Sequence, residues 1–157
     1  MEDGTVEKIE KIRAGIASDH AGYGLKTYLA ERLRERGYEV TDYGTDSDSS
    51  VDYPDFGHPL GKAIDNGEHD CGIAICYSGN GIGMVLNRHR GVRAALCWNK
   101  EIAALARKHN NANVCVLPAH FLTNGEAEEI VCTFLSASFD GGRHARRIGK
   151  INAGLQE

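Results

Sequence analysis

Three short polar segments of the sequence combine residue types that move protons on a hydroxylated substrate. They are residues 18–20 (Ser-Asp-His), residues 76–83 (a glycine-rich stretch that begins with cysteine) and residues 109–111 (His-Asn-Asn). The first two follow apolar runs of strand length, and the third ends a segment of helical period. Ligands of open parallel α/β sheets bind beyond the carboxyl ends of the strands. We therefore predict that all three segments meet at that edge and form the active site.

Cys76 is the residue of the glycine-rich stretch that could act as a base or a nucleophile. A free thiol has a pKa of about 8.5, and a nearby helix N-terminus stabilises its thiolate. The glycines that follow can present backbone N–H groups near such a helix, where a phosphate or an oxyanion is also favoured. The alternative is that Cys76 is a small buried hydrophobic residue. That interpretation is kept for the other cysteines, which are Cys71, Cys97, Cys115 and Cys132.

The glycine spacing argues against two common nucleotide-binding loops. The stretch reads GxGxG after the third apolar run, whereas the dinucleotide fingerprint reads GxGxxG after the first strand. The GK[ST] of a Walker loop is also missing from this stretch. A tight structural turn is the alternative interpretation of these glycines.

Acidic, basic and imidazole side chains elsewhere could complete the site. Asp19 and His20 could set each other's proton affinity, or Asp19 could only cap the first helix. Arg143 and Arg147 lie four residues apart, so on a helix they share one face and could hold a dianion. A solvated basic face is the alternative. His109 is either catalytic or a dipole partner at the end of its helix.

The spacing of cysteine and histidine predicts no metal site. Cys71 and Cys76 form a C-x4-C pair without a local pair of histidines. No metal-ligand spacing joins four other histidines, which are interpreted as surface or structural residues: His58, His69, His89 and His144.

Apolar runs of strand length alternate with segments of helical period, which predicts βαβ units and a parallel sheet. The predicted strands are residues 12–17, 38–42, 72–76, 92–96 and 113–117. Gly37 is expected to end the first helix, and Thr123 and Glu126 to form a capping box ahead of a late one. Residues 1–10 are predicted to be a loose tail, and residues 11–157 a single domain.

Composition narrows the class of protein. With 157 residues and 41% hydrophobic content, the chain fits one domain with a full core. A net charge of −4 without a basic tract argues against a nucleic-acid partner. The sequence lacks a signal-peptide pattern and a run of roughly 18 apolar residues, so no membrane association and a cytoplasmic location are expected. The five cysteines lack CxxC spacing and are interpreted as reduced thiols.

Together these pieces resemble the type B ribose-5-phosphate isomerases and the related galactose-6-phosphate and allose-6-phosphate isomerases, over residues 11–153. The resemblance implies a Rossmann-like three-layer α/β/α sandwich with a five-stranded parallel sheet and no dinucleotide site. It also implies no metal or organic cofactor, and a homodimer or dimer of dimers with active sites between subunits. The C-terminal helix is expected to pack on the partner subunit. The matching segments are SDHAG at 18–22, DYPDF at 52–56, CYSGNGIGM at 76–84, GVRAALC at 91–97, HNNANV at 109–114 and GGRHARR at 141–147.

The resemblance implies a role for each candidate residue. Cys76 would shuttle a proton between C2 and C1 of the opened sugar, while Ser78 and the backbone of residues 77–81 stabilise the enediolate. His109 of a neighbouring subunit would help to open the sugar ring, assisted by Asp19. The phosphorylated sugar would be bound by Asp19, His20, Tyr53, Tyr77, Ser78, Gly79, Asn80, Gly81, Asn110, His120, Arg143 and Arg147.

Four residues depart from the family pattern. Tyr77 replaces a usual glycine or alanine, Gly83 a usual serine and Arg88 a usual lysine, while His120 falls where a phosphate-site arginine is often found. Tyr77 could reshape the oxyanion loop, and a histidine at 120 would make phosphate binding weaker or more pH-sensitive. The resemblance as a whole still implies activity on ribose 5-phosphate. The alternatives are a preference for a six-carbon sugar phosphate, a non-catalytic sugar-phosphate-binding protein, and a cysteine hydrolase.

Overall fold

Five strands form one parallel sheet, described here from a computed structural model that covers residues 11–155. The strands are β1 (Arg13–Ser18), β2 (Glu39–Asp42), β3 (Cys71–Cys76), β4 (Ala94–Leu96) and β5 (Val114–Pro118). Their order across the sheet is β2-β1-β3-β5-β4. The predicted five-stranded parallel sheet is confirmed, although β4 is shorter than predicted. The predicted tail at residues 1–10 lies outside the described residues.

Helices cover both faces of the sheet. They are α1 (Tyr23–Glu35), α2 (Pro54–Asp65), α3 (Asn80–Leu86), α4 (Lys100–Asn110), α5 (Asn124–Ser136) and α6 (Arg143–Ala153). Helices α1, α4 and α5 pack on one face, and α2 and α3 pack on the other. This confirms the three-layer α/β/α architecture. Within the part of the chain that the structure describes, no helix is both long and apolar enough to cross a bilayer.

The two central strands are buried on both faces. Every residue of β3 and of β5 is buried, as expected for parallel strands that lie between two helical layers. Side chains alternate along β3, so Ile73 and Ile75 contact the α1–α4–α5 layer, while Ala74 and Cys76 contact the α2–α3 layer. Cys76 therefore projects beneath the two helices that begin near the carboxyl edge of the sheet.

Local capping signals fix the ends of two helices as predicted. The Thr123 hydroxyl accepts a hydrogen bond from the Glu126 N–H at 3.2 Å, and the Glu126 carboxylate accepts one from the Thr123 N–H at 3.1 Å. Gly37 has a φ of 94° just beyond the end of α1, a conformation that favours glycine. Both signals involve residues that are close in the sequence, so they can be predicted without the fold.

The C-terminal helix α6 is only lightly attached to its own chain. It contacts α4, and the Asn152 side chain donates a hydrogen bond to the Arg90 carbonyl at 2.7 Å. None of the α6 residues is buried, and Ile151 is 55% exposed. The expectation that α6 packs on a partner subunit stays a prediction.

A partly buried ion pair joins α1 to β2. Lys26 Nζ lies 2.6 Å from Asp42 Oδ2, and the Lys26 side chain is 2% exposed while that of Asp42 is 34% exposed. Asp42 also accepts the Gly44 N–H at 2.8 Å, so it holds the turn that follows β2. A charge this deeply buried is costly without a partner.

We predict that Asp42→Asn lowers the free energy of unfolding by roughly 2–3 kcal/mol, because it leaves Lys26 buried without a counter-charge. Urea denaturation measures this change. The matched control is Glu129→Gln, which breaks the 2.9 Å ion pair between Glu129 and Lys100. The side chains of Lys100 and Glu129 are 60% and 58% exposed. The control should change the free energy of unfolding by less than about 1 kcal/mol. Equal losses in the two variants would contradict the assignment.

Candidate active site

Two of the three predicted polar segments meet at the carboxyl edge of the sheet. Strands β1 and β3 are neighbours, and Ser18 pairs with Ile75 in their register. The Asp19 N–H donates to the Ile75 carbonyl at 3.4 Å. Asp19 and His20 therefore lie beside Cys76 and the glycine-rich loop, as the sequence predicted.

Cys76 is the last residue of β3 and is 4% exposed. Cys71 begins the same strand and is 7% exposed, so exposure alone does not separate the two thiols. Their positions in the strand distinguish the two thiols. Cys71 lies at the opposite edge of the sheet, where burial raises the pKa of its thiol to about 12. Cys71 is therefore protonated at neutral pH, and Cys76 is the β3 thiol that borders the glycine-rich loop.

Residues 78–81, which we call the amide loop, turn the chain from β3 into α3. Gly79 has a φ of 77°, and a side chain there would come within 2.5 Å of Leu96 Cδ1. The Ser78 hydroxyl accepts the Asn80 N–H at 3.3 Å. The N–H groups in the first turn of a helix have no acceptor within the helix. The loop thus places backbone donors directly after Cys76.

Tyr53 lies over the far end of the amide loop. A Cβ atom at Gly81 would lie 2.5 Å from Tyr53 Cζ, so only glycine allows the ring to pack this closely. Tyr53 precedes α2, where Pro54 at the first position favours a helix start. The ring is 38% exposed and remains available to a ligand.

The Asp19 side chain caps the helical turn that follows β1. Its Oδ1 accepts the Ala21 N–H at 3.0 Å and the Gly22 N–H at 3.3 Å, which caps a one-turn 3-10 helix. The cap fixes the carboxylate beside the end of β3. The His20 ring is fixed too, because its Nδ1 lies 3.2 Å from both the N and the O atom of Val51.

The prediction that His109 shares this edge is wrong. His109 and Asn110 end α4 and precede β5. A helix that connects parallel strands runs back across the sheet, so its C-terminus lies at the edge where the next strand begins. The five residues of β5 separate the two edges by about 15 Å. Within one chain, His109 and Cys76 are therefore far apart.

A second cluster forms at this amino edge. The imidazoles of His109 and His144 stack with centroids 4.3 Å apart and planes inclined by 9°. A groove of about 380 Å³ is lined by His109, Asn110, His144, Arg147, Ile148 and Ile151. The sequence predicts Asn110 and Arg147 as site residues and His144 as a surface or structural residue. The signal in the sequence that points to His144 is its position between Arg143 and Arg147.

The amino-edge cluster suits an anion better than a metal ion. His109, Asp140 and His144 could offer ligand atoms within 4.8 Å of one another. A metal ion binds an imidazole nitrogen in the plane of the ring, and two parallel stacked planes share no such point. Partial burial, His109, Arg143 and Arg147 lower the pKa of His144, while Asp140 opposes them and raises it.

The departures at residues 77 and 120 contact each other at the carboxyl edge. The Tyr77 and His120 rings stack with centroids 4.3 Å apart and planes inclined by 14°. Phe121 meets both rings edge-on. The other two departures, Gly83 and Arg88, line a groove of about 390 Å³ that Gly79 and Asn80 of the amide loop also border.

We predict that Arg147→Gln raises the pKa of His144, because removing a nearby positive charge favours the imidazolium. Proton or ¹⁵N NMR of the imidazole signals across a pH series measures the change. Lys150→Gln, which removes a charge farther along α6, is the matched control and should leave the His144 pKa where it was. An unchanged pKa in the Arg147 variant would contradict the described cluster.

Comparison with known proteins agrees with this geometry. Residues 14–151 match the Ribose/Galactose Isomerase family. The ribose-5-phosphate isomerase B of Escherichia coli is 39% identical over 145 residues, which cover 92% of this chain and 96% of that protein. The Clostridium thermocellum ribose-5-phosphate isomerase B structure is 48% identical with a TM-score of 0.89, covering 90% of this chain and 96% of that one.

The Mycoplasma genitalium enzyme was solved with bound ribulose-5-phosphate. It is 45% identical, has a TM-score of 0.85, and the match covers 89% of this chain and 93% of that one. These likenesses span nearly all of the described sheet and both edge clusters. They confirm the resemblance seen in the sequence: this chain belongs to the ribose/galactose isomerase family.

Proposed function

We propose that this protein interconverts ribose 5-phosphate and ribulose 5-phosphate through an enediolate, with Cys76 as the base. The observation that carries the proposal is the position of Cys76, at the carboxyl end of β3 and directly before the amide loop. Family membership supports it, since the relatives named above are ribose-5-phosphate isomerases.

The chemistry requires one base and one set of donors. The Cys76 thiolate removes the proton from C2 of the open-chain aldose, and negative charge moves onto the carbonyl oxygen at C1. The same sulfur returns the proton to C1, while the C2 hydroxyl loses its proton and the C1 oxygen gains one. Donors aimed at the developing charge lower this barrier more than they stabilise the bound sugar. Ser78 and the N–H groups of the amide loop fill that role.

The other side chains of the carboxyl edge bind the sugar. Asp19 and His20 are held beside β3 by their backbone contacts, and Tyr53 is held against Gly81. Fixed polar groups of this kind position a flexible open-chain sugar for proton transfer. We assign these three residues to the sugar hydroxyls.

We also propose that each active site forms between two copies of the chain. An extended five-carbon sugar phosphate is roughly 9 Å long, given carbon–carbon bonds of about 1.5 Å. It cannot bridge the two edges of one chain, which lie about 15 Å apart. His109 for ring opening, and Arg143 and Arg147 for the phosphate, would then come from the second copy. The uncovered apolar side of α6 supports a homodimer or a dimer of dimers.

We infer a cytoplasmic location from the chemistry of the thiols. Catalysis by Cys76 requires a reduced sulfur, and all five cysteines are free in the structure. Reducing compartments keep thiols in that state.

We predict that Cys76→Ala lowers kcat on ribose 5-phosphate by about 10²–10⁴-fold, the contribution typical of a general base. Ketose formation and label uptake in deuterated water measure this loss together. Cys71→Ala is the matched control, since it removes a similarly buried thiol from the other end of β3 and should keep near-wild-type kcat. Wild-type turnover by the Cys76 variant would contradict the assignment, and ester cleavage without isomerisation would favour the cysteine hydrolase.

We predict that two inactive variants restore activity when their subunits mix. Cys76→Ala and His109→Ala are co-refolded, and random pairing gives heterodimers in about half of the molecules. Each heterodimer holds one intact site, so about a quarter of wild-type kcat should return. Each variant refolded alone is the control. If the mixture stays as inactive as its components, the site lies within one chain.

A further inference from the structure

Two of the four residues of the amide loop are glycine, so few side chains anchor it. Gly79 and Gly81 give it conformational freedom that a bound transition state must remove, because glycine loses more backbone freedom on ordering than other residues. At its far end the Tyr53 ring rests on Gly81. At the near end Gly79 packs against Leu96 and Val116, and Tyr77 joins Cys76 to Ser78.

Tyr77 is held to the segment that follows β5 by two contacts. The His120 N–H donates to the Tyr77 carbonyl at 3.1 Å, and the two rings stack face to face at 4.3 Å. Both contacts follow from the register of the central strands, which pairs Cys76 with Pro118. The Phe121 ring lies edge-on to both rings, and the Trp98 ring packs on Phe121 with centroids 5.0 Å apart.

The direction of the Tyr77 side chain separates it from the reacting carbon. Cys76 projects into the α2–α3 layer, and the next residue of an extended chain projects to the opposite side. The Tyr77 ring is engaged by His120 and is 53% exposed, so the fold does not depend on it for its core. Its contacts act on the backbone of the loop.

We propose that the Tyr77–His120 stack is a clamp that positions the amide loop, so that both residues act through the loop and not by contact with the sugar. This inference rests on the proposed isomerase function. The inference assigns His120 a role other than phosphate binding. The flat imidazole ring of His120 stacks on Tyr77, and an uncharged aromatic ring could replace it.

The test compares loss of the ring with loss of the charge. His120→Ala and Tyr77→Ala should lower kcat roughly tenfold with little change in KM, a smaller loss than the 10²–10³-fold that follows deletion of an oxyanion donor. His120→Phe keeps a stacking surface and should recover most of the lost kcat. The midpoint of thermal unfolding should stay within about 2 °C in all three, because the rings are exposed.

Two outcomes would overturn the clamp. If His120→Phe is as impaired as His120→Ala and the loss is in KM, His120 binds the phosphate. If neither alanine variant changes kcat, the stack has no role in the reaction. Ile12→Ala is the surface control, since Ile12 is 41% exposed and precedes β1, at the opposite edge of the sheet from the aromatic cluster.

A second readout does not depend on turnover. Amide hydrogen exchange of residues 78–81 should accelerate in both alanine variants and return toward wild type in His120→Phe. If wild type does not isomerise ribose 5-phosphate, the proposed function fails, while the exchange data still test the clamp. Unchanged exchange in the alanine variants would reject the clamp whatever the activity.

Discussion

The direction of the parallel strands governs everything else in this molecule. All five strands end at the same edge, and each crossover helix must return to the other edge before the next strand begins. A thiol that ends β3 and an imidazole that ends α4 are therefore held at opposite edges by the topology itself. One chain consequently carries two separate clusters of polar side chains, one at each edge of the sheet.

The two clusters differ in a way that suits the two ends of one substrate. The carboxyl edge offers N–H donors and a buried thiol, which in the proposed reaction respond to charge that exists only in the transition state. The amino edge offers guanidinium and imidazole groups, which are suited to a permanent anion. Binding energy from the non-reacting phosphate can then position the sugar while the neutral donors act on the transition state. The proposed assembly of two copies would bring these functions together.

The features that sequence predicted are those set by local or one-dimensional patterns. The capping box at Thr123 and the polar segment after Cys76 needed only nearby residues. The start of β4 was misplaced because the Arg93 N–H donates to the Asn113 side chain at 2.8 Å and not to a strand partner. His109 was assigned to the wrong edge because a helix terminus was treated as if it followed a strand. The Tyr77–His120 stack was beyond reach, since it depends on β3 lying next to β5.

A structure with bound ribulose 5-phosphate tests the account most directly. C1 and C2 should lie within about 3.5 Å of the Cys76 sulfur of one copy. The phosphate oxygens of the same sugar should contact Arg143 and Arg147 of a second copy. A sugar bound wholly at one edge of one chain, or a Cys76 sulfur sealed away from it by aliphatic side chains, would contradict the account.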